Sequence, residues 1–301
     1  MINFMELKSN DYAQGVILVF FAGVLWSTVG LGIRLIDNAG VWQILFYRSI
    51  SLTLLLYLVI RLRGKSKRLL SKKLLNKPNI IGGLSLVAAY AGGIFAIQTT
   101  SVANAMLLFA TAPFIAAVLG YLILGEQVRT TTWYAIIVAV GGIAYMFADQ
   151  STHFSLTGSF AALGSAIGFA IFSVALRWGK NDEMLPSVFL SGFFAIIITF
   201  FICLFLKQSL LLSSQDIGIS FSMGIFQVGG GLVLYTIGSK TLSAADLTLL
   251  SLAEVVLGPV WVWFFLGEVT SKNTLLGGSI LLLAIAANAL SGKRWKPPPI
   301  M

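Results

Sequence analysis

The chain has 301 residues, 57% of them hydrophobic and 10% charged, with a mean hydropathy of +0.92. An average soluble domain is roughly 45–50% apolar and about 25% charged, so this composition defines an integral membrane protein. A net charge of +9 would suit nucleic acid only if the basic residues gathered on a soluble face; they lie instead in short links between apolar runs, and no nucleic-acid partner is expected. One Cys (Cys203) and one His (His153) exclude a disulfide framework and a zinc site built from His and Cys. No metal or cofactor is expected.

In chain order, the first apolar segment, Gly15 to Ile33, is long enough to cross a bilayer and lacks a small-residue cleavage site. It is expected to be retained, with the mature chain beginning at Met1. Further helices are predicted at 41–61 and 79–97, then at 101–124 and 130–148. Residues 78–125 contain no Asp, Glu, Lys or Arg; since a crossing takes roughly 20 residues, the run must hold two crossings around the polar turn "QTTSVAN" (Gln98 to Asn104). The remaining helices are predicted at 157–177, 186–206, 217–239, 241–266 and 274–292. Every apolar run is too long for membrane β-strands and lacks their alternation. The expected fold is all-α integral membrane, with ten transmembrane helices.

Positive residues set orientation, because basic loops stay cytoplasmic. With the N-terminus inside, sixteen of the twenty Lys and Arg residues fall on the cytoplasmic side; Arg34, Lys207 and Lys272 fall opposite and Arg48 lies within the membrane. Both termini are therefore expected in the cytoplasm, in a bacterial cytoplasmic (inner) membrane. The loop Arg61 to Lys77 reads as a topology determinant, with lipid headgroup attraction as the alternative.

A shift of 142 positions superposes "LGE" at Leu124 to Glu126 on "LGE" at Leu266 to Glu268 and matches Thr99 with Thr241, Ser101 with Ser243, Ala103 with Ala245, Leu107 with Leu249 and Leu108 with Leu250. A shift of 143 aligns "LWSTVGLGIR" (Leu25 to Arg34) with "GFAIFSVALR" (Gly168 to Arg177), each ending in Arg. The chain thus divides into residues 1–148 and 149–301, two repeats of five helices. Five is odd, so the second copy enters from the opposite side: the repeats are inverted, the recurrent plan of secondary transporters.

Ten spans in two halves, an Arg early in helix two ("FYRSISLTLLL") and fourth helices ending in "LGE" resemble the drug/metabolite transporter superfamily, specifically its EamA-type branch. The likeness covers essentially the whole chain. The family's Glu-Pro or related pair about a dozen residues before "LGE" is split here between Ala112-Pro113 and Glu254-Val255. The resemblance implies export or uptake of small metabolites, commonly amino acids or related compounds, from a cavity lined by helices one, three, four, six, eight and nine.

Glu254 is about 20 Å along helix nine from Thr241 and about 18 Å from Leu266 at 1.5 Å per residue, close to the midplane. An ionised carboxylate there is costly, and such residues are functional hypotheses by default; the candidates are a substrate-ammonium ligand, a proton-coupling site or an interhelical tie. Arg48 is about 10 Å into helix two from Val41 and keeps its proton. A structural role holding helix two to the core is the first reading for Arg48, with Glu254, a substrate carboxylate or lipid phosphate as its anion. Asp246 is a candidate for substrate binding or coupling, with a helix N-terminal cap or contact with cytoplasmic water as the plainer reading. Glu126 and Glu268 read as closures of their helix ends.

Trp26, Tyr90, Phe109, Phe169, Phe172 and Tyr235 form a candidate aromatic wall, with Gln227, Ser27 and Ser251 orienting a substrate. The "GGG" at Gly229 to Gly231 is a candidate hinge, and the other paired glycines read as packing sites. The expected activity is secondary transport of a small metabolite by alternating access, with membrane lipid as surroundings and the proton as candidate coupling ion. No "GxxxxGK[ST]" is present for ATP-driven pumping, and no "HExxH" or "GxSxG" for an enzyme. A lipid or lipid-carrier flippase is the alternative.

Overall fold

The computed structural model describes residues 4–62, 75–148, 155–179, 185–238, 241–242 and 244–292, with 4–11, 244–249, 251 and 292 described by backbone alone. The described residues form ten helices and no strand. They are α1 (Phe4–Ser27, continued by Val29–Arg34), α2 (Val41–Leu62), α3 (Lys77–Thr99) and α4 (Val102–Phe109, continued by Ala112–Leu124). Then follow α5 (Thr130–Phe147), α6 (Leu156–Trp178), α7 (Leu185–Phe205), α8 (Ser214–Gly238), α9 (Ala244–Leu266) and α10 (Lys272–Gly292). Nine of these are long and apolar enough to cross a membrane; α9 contributes the apolar stretch Leu252–Leu266. Large apolar side chains such as Leu122, Ile123, Phe201, Phe264 and Phe265 point outward, as a lipid-facing surface requires. The predicted spans agree with these helices to within three residues, except that α1 starts earlier, at Phe4.

Three helices are interrupted where local chemistry competes with the regular ladder. In α1, the Ser27 and Thr28 hydroxyls donate to the carbonyls of Val24 and Leu25, both at 2.7 Å, a back-bonding that bends helices. In α4, the break at Ala110 and Thr111 precedes Pro113, whose ring clashes with the preceding turn and which donates no N–H. In α8, Met223–Gly230 is π-helical and runs into the triple glycine, so the segment read as a hinge is a stretch of altered helix, a feature common at functional sites.

The side chains of Asn76, Ser101, Ser155 and Ser213 accept the exposed N–H groups of Asn79, Asn104, Gly158 and Asp216, so the starts of α3, α4, α6 and α8 are capped. Gly125 and Gly267, at φ 68° and 69°, end α4 and α9 in the left-handed conformation that a side chain resists. The next amides close both ends alike, Glu126 N–H to Gly120 and Glu268 N–H to Val262. These partners are 142 positions apart, so the sequence repeat is also a repeat of structure.

α3 lies along α6 and its repeat mate α8 lies along α1. The contacts obey the same symmetry: a Cβ on Gly15 would lie 2.1 Å from Thr241 Oγ1, and one on Gly158 would lie 2.6 Å from Thr99 Oγ1. α5 packs on α10 through Gly142 and Gly277, where a Cβ on Gly142 would lie 2.6 Å from the Gly277 carbonyl oxygen. Backbone cannot yield as a flexible side chain would. Gly142→Ala is therefore expected to lower stability by about 1–3 kcal/mol, the range for overpacking, read as a lower thermal midpoint in detergent; Gly141→Ala, which meets nothing within 4 Å, serves as the control.

Candidate substrate site

Two clusters of the predicted site residues form around α8. In the first, Trp26 of α1 and Tyr235 of α8 have ring centroids 5.4 Å apart. The indole lies against Gly231, where a Cβ would be 2.2 Å from Trp26 Nε1. In the second, the Arg48 guanidinium carbon of α2 stands 4.7 Å from the ring centre of Tyr90 on α3. Between them runs the π-helical turn. Gly224 packs on the backbone of Arg48 and Leu52 and on the Ser51 hydroxyl, and Gly230 faces Leu25 of α1. Gln227 lies in this turn, 8% exposed.

Polar atoms in this region are left without partners. Arg48 is 4% exposed, its NH2 nitrogen is buried with no hydrogen-bond partner, and no described carboxylate pairs with it, Glu254 included. Gln227 Oε1, Ser49 Oγ, Thr53 Oγ1 and Ser220 Oγ are likewise buried and unpartnered, and all lie on α2 or α8. Leaving such groups unpaired costs about 1–3 kcal/mol each, more for a charge. Ser49, Thr53 and Ser220 were not anticipated from sequence, because hydroxyls usually satisfy themselves on the preceding turn.

Glu254 is partly buried on α9, and the described residues provide it with no hydrogen bond or ion pair. The helix is continuous there. It approaches α1 at Gly23, where a Cβ would lie 3.7 Å from Glu254 N. Asp246 and Ser251 also lie on α9, but their side chains are outside the described residues, so the cap predicted for Asp246 falls outside them too.

Some readings of the aromatic wall change. Phe169 is 49% exposed and stacks on the outside of Phe172, so it faces away from the interior. Ser27 is fully buried and accepts the Trp261 indole N–H at 2.8 Å, tying α1 to α9; its hydroxyl is already committed. Among the described residues Arg48 makes no ion pair, and its visible contact is the Tyr90 ring. An apolar crevice of about 260 Å³ lined by Thr111, Phe114, Ile115, Val118 and Ile136, among others, opens between α4 and α5. None of the candidate residues lines it.

The two "LGE" glutamates form the ion pairs of the described residues, in a pattern their spacing encodes. Arg34, ending α1, donates from Nε to Glu268 Oε2 at 2.8 Å and from NH2 to the Thr100 carbonyl at 2.8 Å. Glu268 Oε1 also accepts the Val102 N–H at 2.7 Å. Arg177, ending α6, pairs with Glu126 and donates from NH2 to the Ala116 carbonyl at 3.0 Å. Each Arg of one repeat thus meets the Glu of the other. The signal was present in sequence, as both residue types recur at shifts of 143 and 142.

Ten apolar helices in two structurally equivalent halves, with unpaired polar groups held between helices, define a polytopic membrane transporter. The EamA-like transporter family model matches residues 13–148 and 156–290, and the chain belongs to that family. It is 25% identical over 286 residues to the pseudopaline exporter CntI of Pseudomonas aeruginosa, covering 91% of this chain and 95% of that one. It is 24% identical over 206 residues to the uncharacterized transporter YwfM of Bacillus subtilis, covering 67% of this chain and 69% of that one. A solved crystal structure superposes with a TM-score of 0.67 at 16% identity, covering 94% of this chain and 98% of the other, a likeness of fold.

Proposed function

We propose that the protein is a secondary active transporter that exports a small metabolite, an amino acid or related compound, by alternating access across a bacterial cytoplasmic membrane, with both termini inside. The observation that carries the reading is the buried Arg48, whose guanidinium has no anionic partner among the described residues. A cation held in an apolar surround is costly until an anion reaches it, and a transported carboxylate supplies one. Tyr90, Gln227 and the Trp26–Tyr235 pair form the walls, a mixture of aromatic surface and few polar groups as in other small-molecule sites. Glu254 takes the substrate's ammonium or a coupling proton, the roles open to an unpaired intramembrane acid. Export is supported by the pseudopaline exporter among the relatives, and orientation by the basic loops.

Counterflow in proteoliposomes tests this. Vesicles loaded with unlabelled amino acids are expected to accumulate the labelled solute transiently, while vesicles loaded with uncharged sugars are not. Absence of exchange for every carboxylate-bearing solute, with exchange of a neutral or cationic one, would overturn the assignment of Arg48.

A further inference from the structure

The two ion pairs occupy opposite faces of the membrane, because α1 and α6 end five crossings apart in an inverted repeat. Under the repeat symmetry each has the same designed surroundings, but the two are not equally furnished. At the Arg34 face three elements meet: Arg34 at the end of α1, Glu268 after α9, and the α3–α4 turn through the Thr100 carbonyl and the Val102 N–H. The mates of Thr100 and Val102 at a shift of 142 are Leu242 and Ala244 in the α8–α9 turn. At the Arg177 face the described residues of that turn, Leu242 and Ala244 included, take no part. Arg177 donates to Ala116 within α4 instead, and Glu126 accepts from Arg177 alone. Exposure follows the difference: the side chains of Arg34 and Glu268 are 26% and 15% exposed, those of Arg177 and Glu126 42% and 36%.

We propose that these are two gate latches that exchange partner sets, and that the structure is the state latched at the Arg34 face. In the opposite state, Arg177 leaves the Ala116 carbonyl for that of Leu242 and Glu126 accepts the Ala244 N–H. Arg34 and Glu268 give up Thr100 and Val102. Inverted repeats reach their second state by exchanging the conformations of their halves, so the arrangement seen at one face is the template for the other. Both states then contain one three-element latch and one two-element pair, which keeps their free energies close enough for either to be populated. Glu126 and Glu268 are in this view positioning residues that set the balance of states, without touching the solute. The inference rests on the alternating-access reading, but its test needs no substrate.

The only cysteine in the chain, Cys203, is buried, and Cys203→Ala gives a background for crosslinking the full chain in nanodiscs. One cysteine pair replaces Thr100 and Val269, across the latched face; the other replaces their mates Leu242 and Gln127. A short bis-maleimide should join the first pair readily and the second weakly. Glu268→Gln keeps an acceptor for Val102 but removes the charge, and should shift the ratio of the two crosslinks about tenfold toward the Leu242–Gln127 pair, the scale of a charged hydrogen bond lost. Glu126→Gln should shift it the other way. Because the two neutralisations report one equilibrium from opposite faces, either folded variant tests it, with folding checked by a monodisperse nanodisc peak. A ratio unmoved by the charge change, or moved in the same direction by both, overturns the latches; failure of the transporter reading would show separately, as absent counterflow by the natural protein.

Discussion

Arg48→Met is expected to lose transport while unfolding at a higher temperature than the natural protein. Arg48 is 4% exposed, and its guanidinium lies over the Tyr90 ring and has a buried nitrogen without an acceptor among the described residues. A cation–π contact returns about 0.5–2 kcal/mol, whereas taking a charge out of water costs several kcal/mol after relaxation. The cost wins when no anion is bound. Methionine fills a similar volume with apolar atoms, and replacing a buried charged group this way stabilises by about 1–4 kcal/mol in favourable cases. If the residue is kept for an anionic solute, stability and activity move in opposite directions, the trade-off expected of a strained functional site. The measurement pairs counterflow with thermal unfolding on one preparation. Undiminished counterflow removes Arg48 from the site. A lower midpoint, with activity retained per folded molecule, would restore the structural role that sequence alone favours.

What sequence could and could not reveal follows from the solvent. In lipid every backbone group must be satisfied within its helix, so ten long apolar runs announce ten helices, and Gly125 and Gly267 mark two ends because few other residues adopt their φ. The inverted repeat was legible from "LGE" and the paired Arg residues. Which side chains meet was not. A helix apolar on all sides carries no stripe to fix which face turns inward, so nothing in α2 placed Arg48 on Tyr90 rather than beside Glu254, and nothing in α6 turned Phe169 outward. The breaks in α1 and the π turn in α8 depend on small local balances, between Ser27 and Thr28 hydroxyls and their carbonyls or across the glycines after Gln227. The triple glycine is legible in the sequence as a hinge, whereas the break before Pro113 is not; the mate of Pro113 in the second repeat is Val255, where α9 stays continuous.

That continuity bears on Glu254→Gln, which is expected to lower transport at least about tenfold while leaving yield and thermal midpoint within the range of surface substitutions, about ±0.5 kcal/mol. Glutamine preserves the shape and a hydrogen-bonding carbonyl but neither ionises nor carries a proton. A tie between helices would tolerate that change poorly only if a partner needed the charge, and Glu254 has no such partner among the described residues. Its mate in the first repeat is Ala112, beside the break in α4, so the acid is not required by the repeat architecture. Nor is it placed to cap a helix, since α9 runs unbroken through it. On the proposed function, an acid that neither packing nor symmetry demands, on α9 beside Gly23, is expected to serve something that comes and goes. Two transport measurements separate what that is. If Glu254 binds the substrate's ammonium, the variant loses affinity for amines and keeps solutes that carry only a carboxylate. If it carries the coupling proton, the variant still exchanges labelled for unlabelled solute at equal concentrations but no longer accumulates it against a gradient. Full, gradient-driven transport of amine solutes by the variant would leave Glu254 without either role.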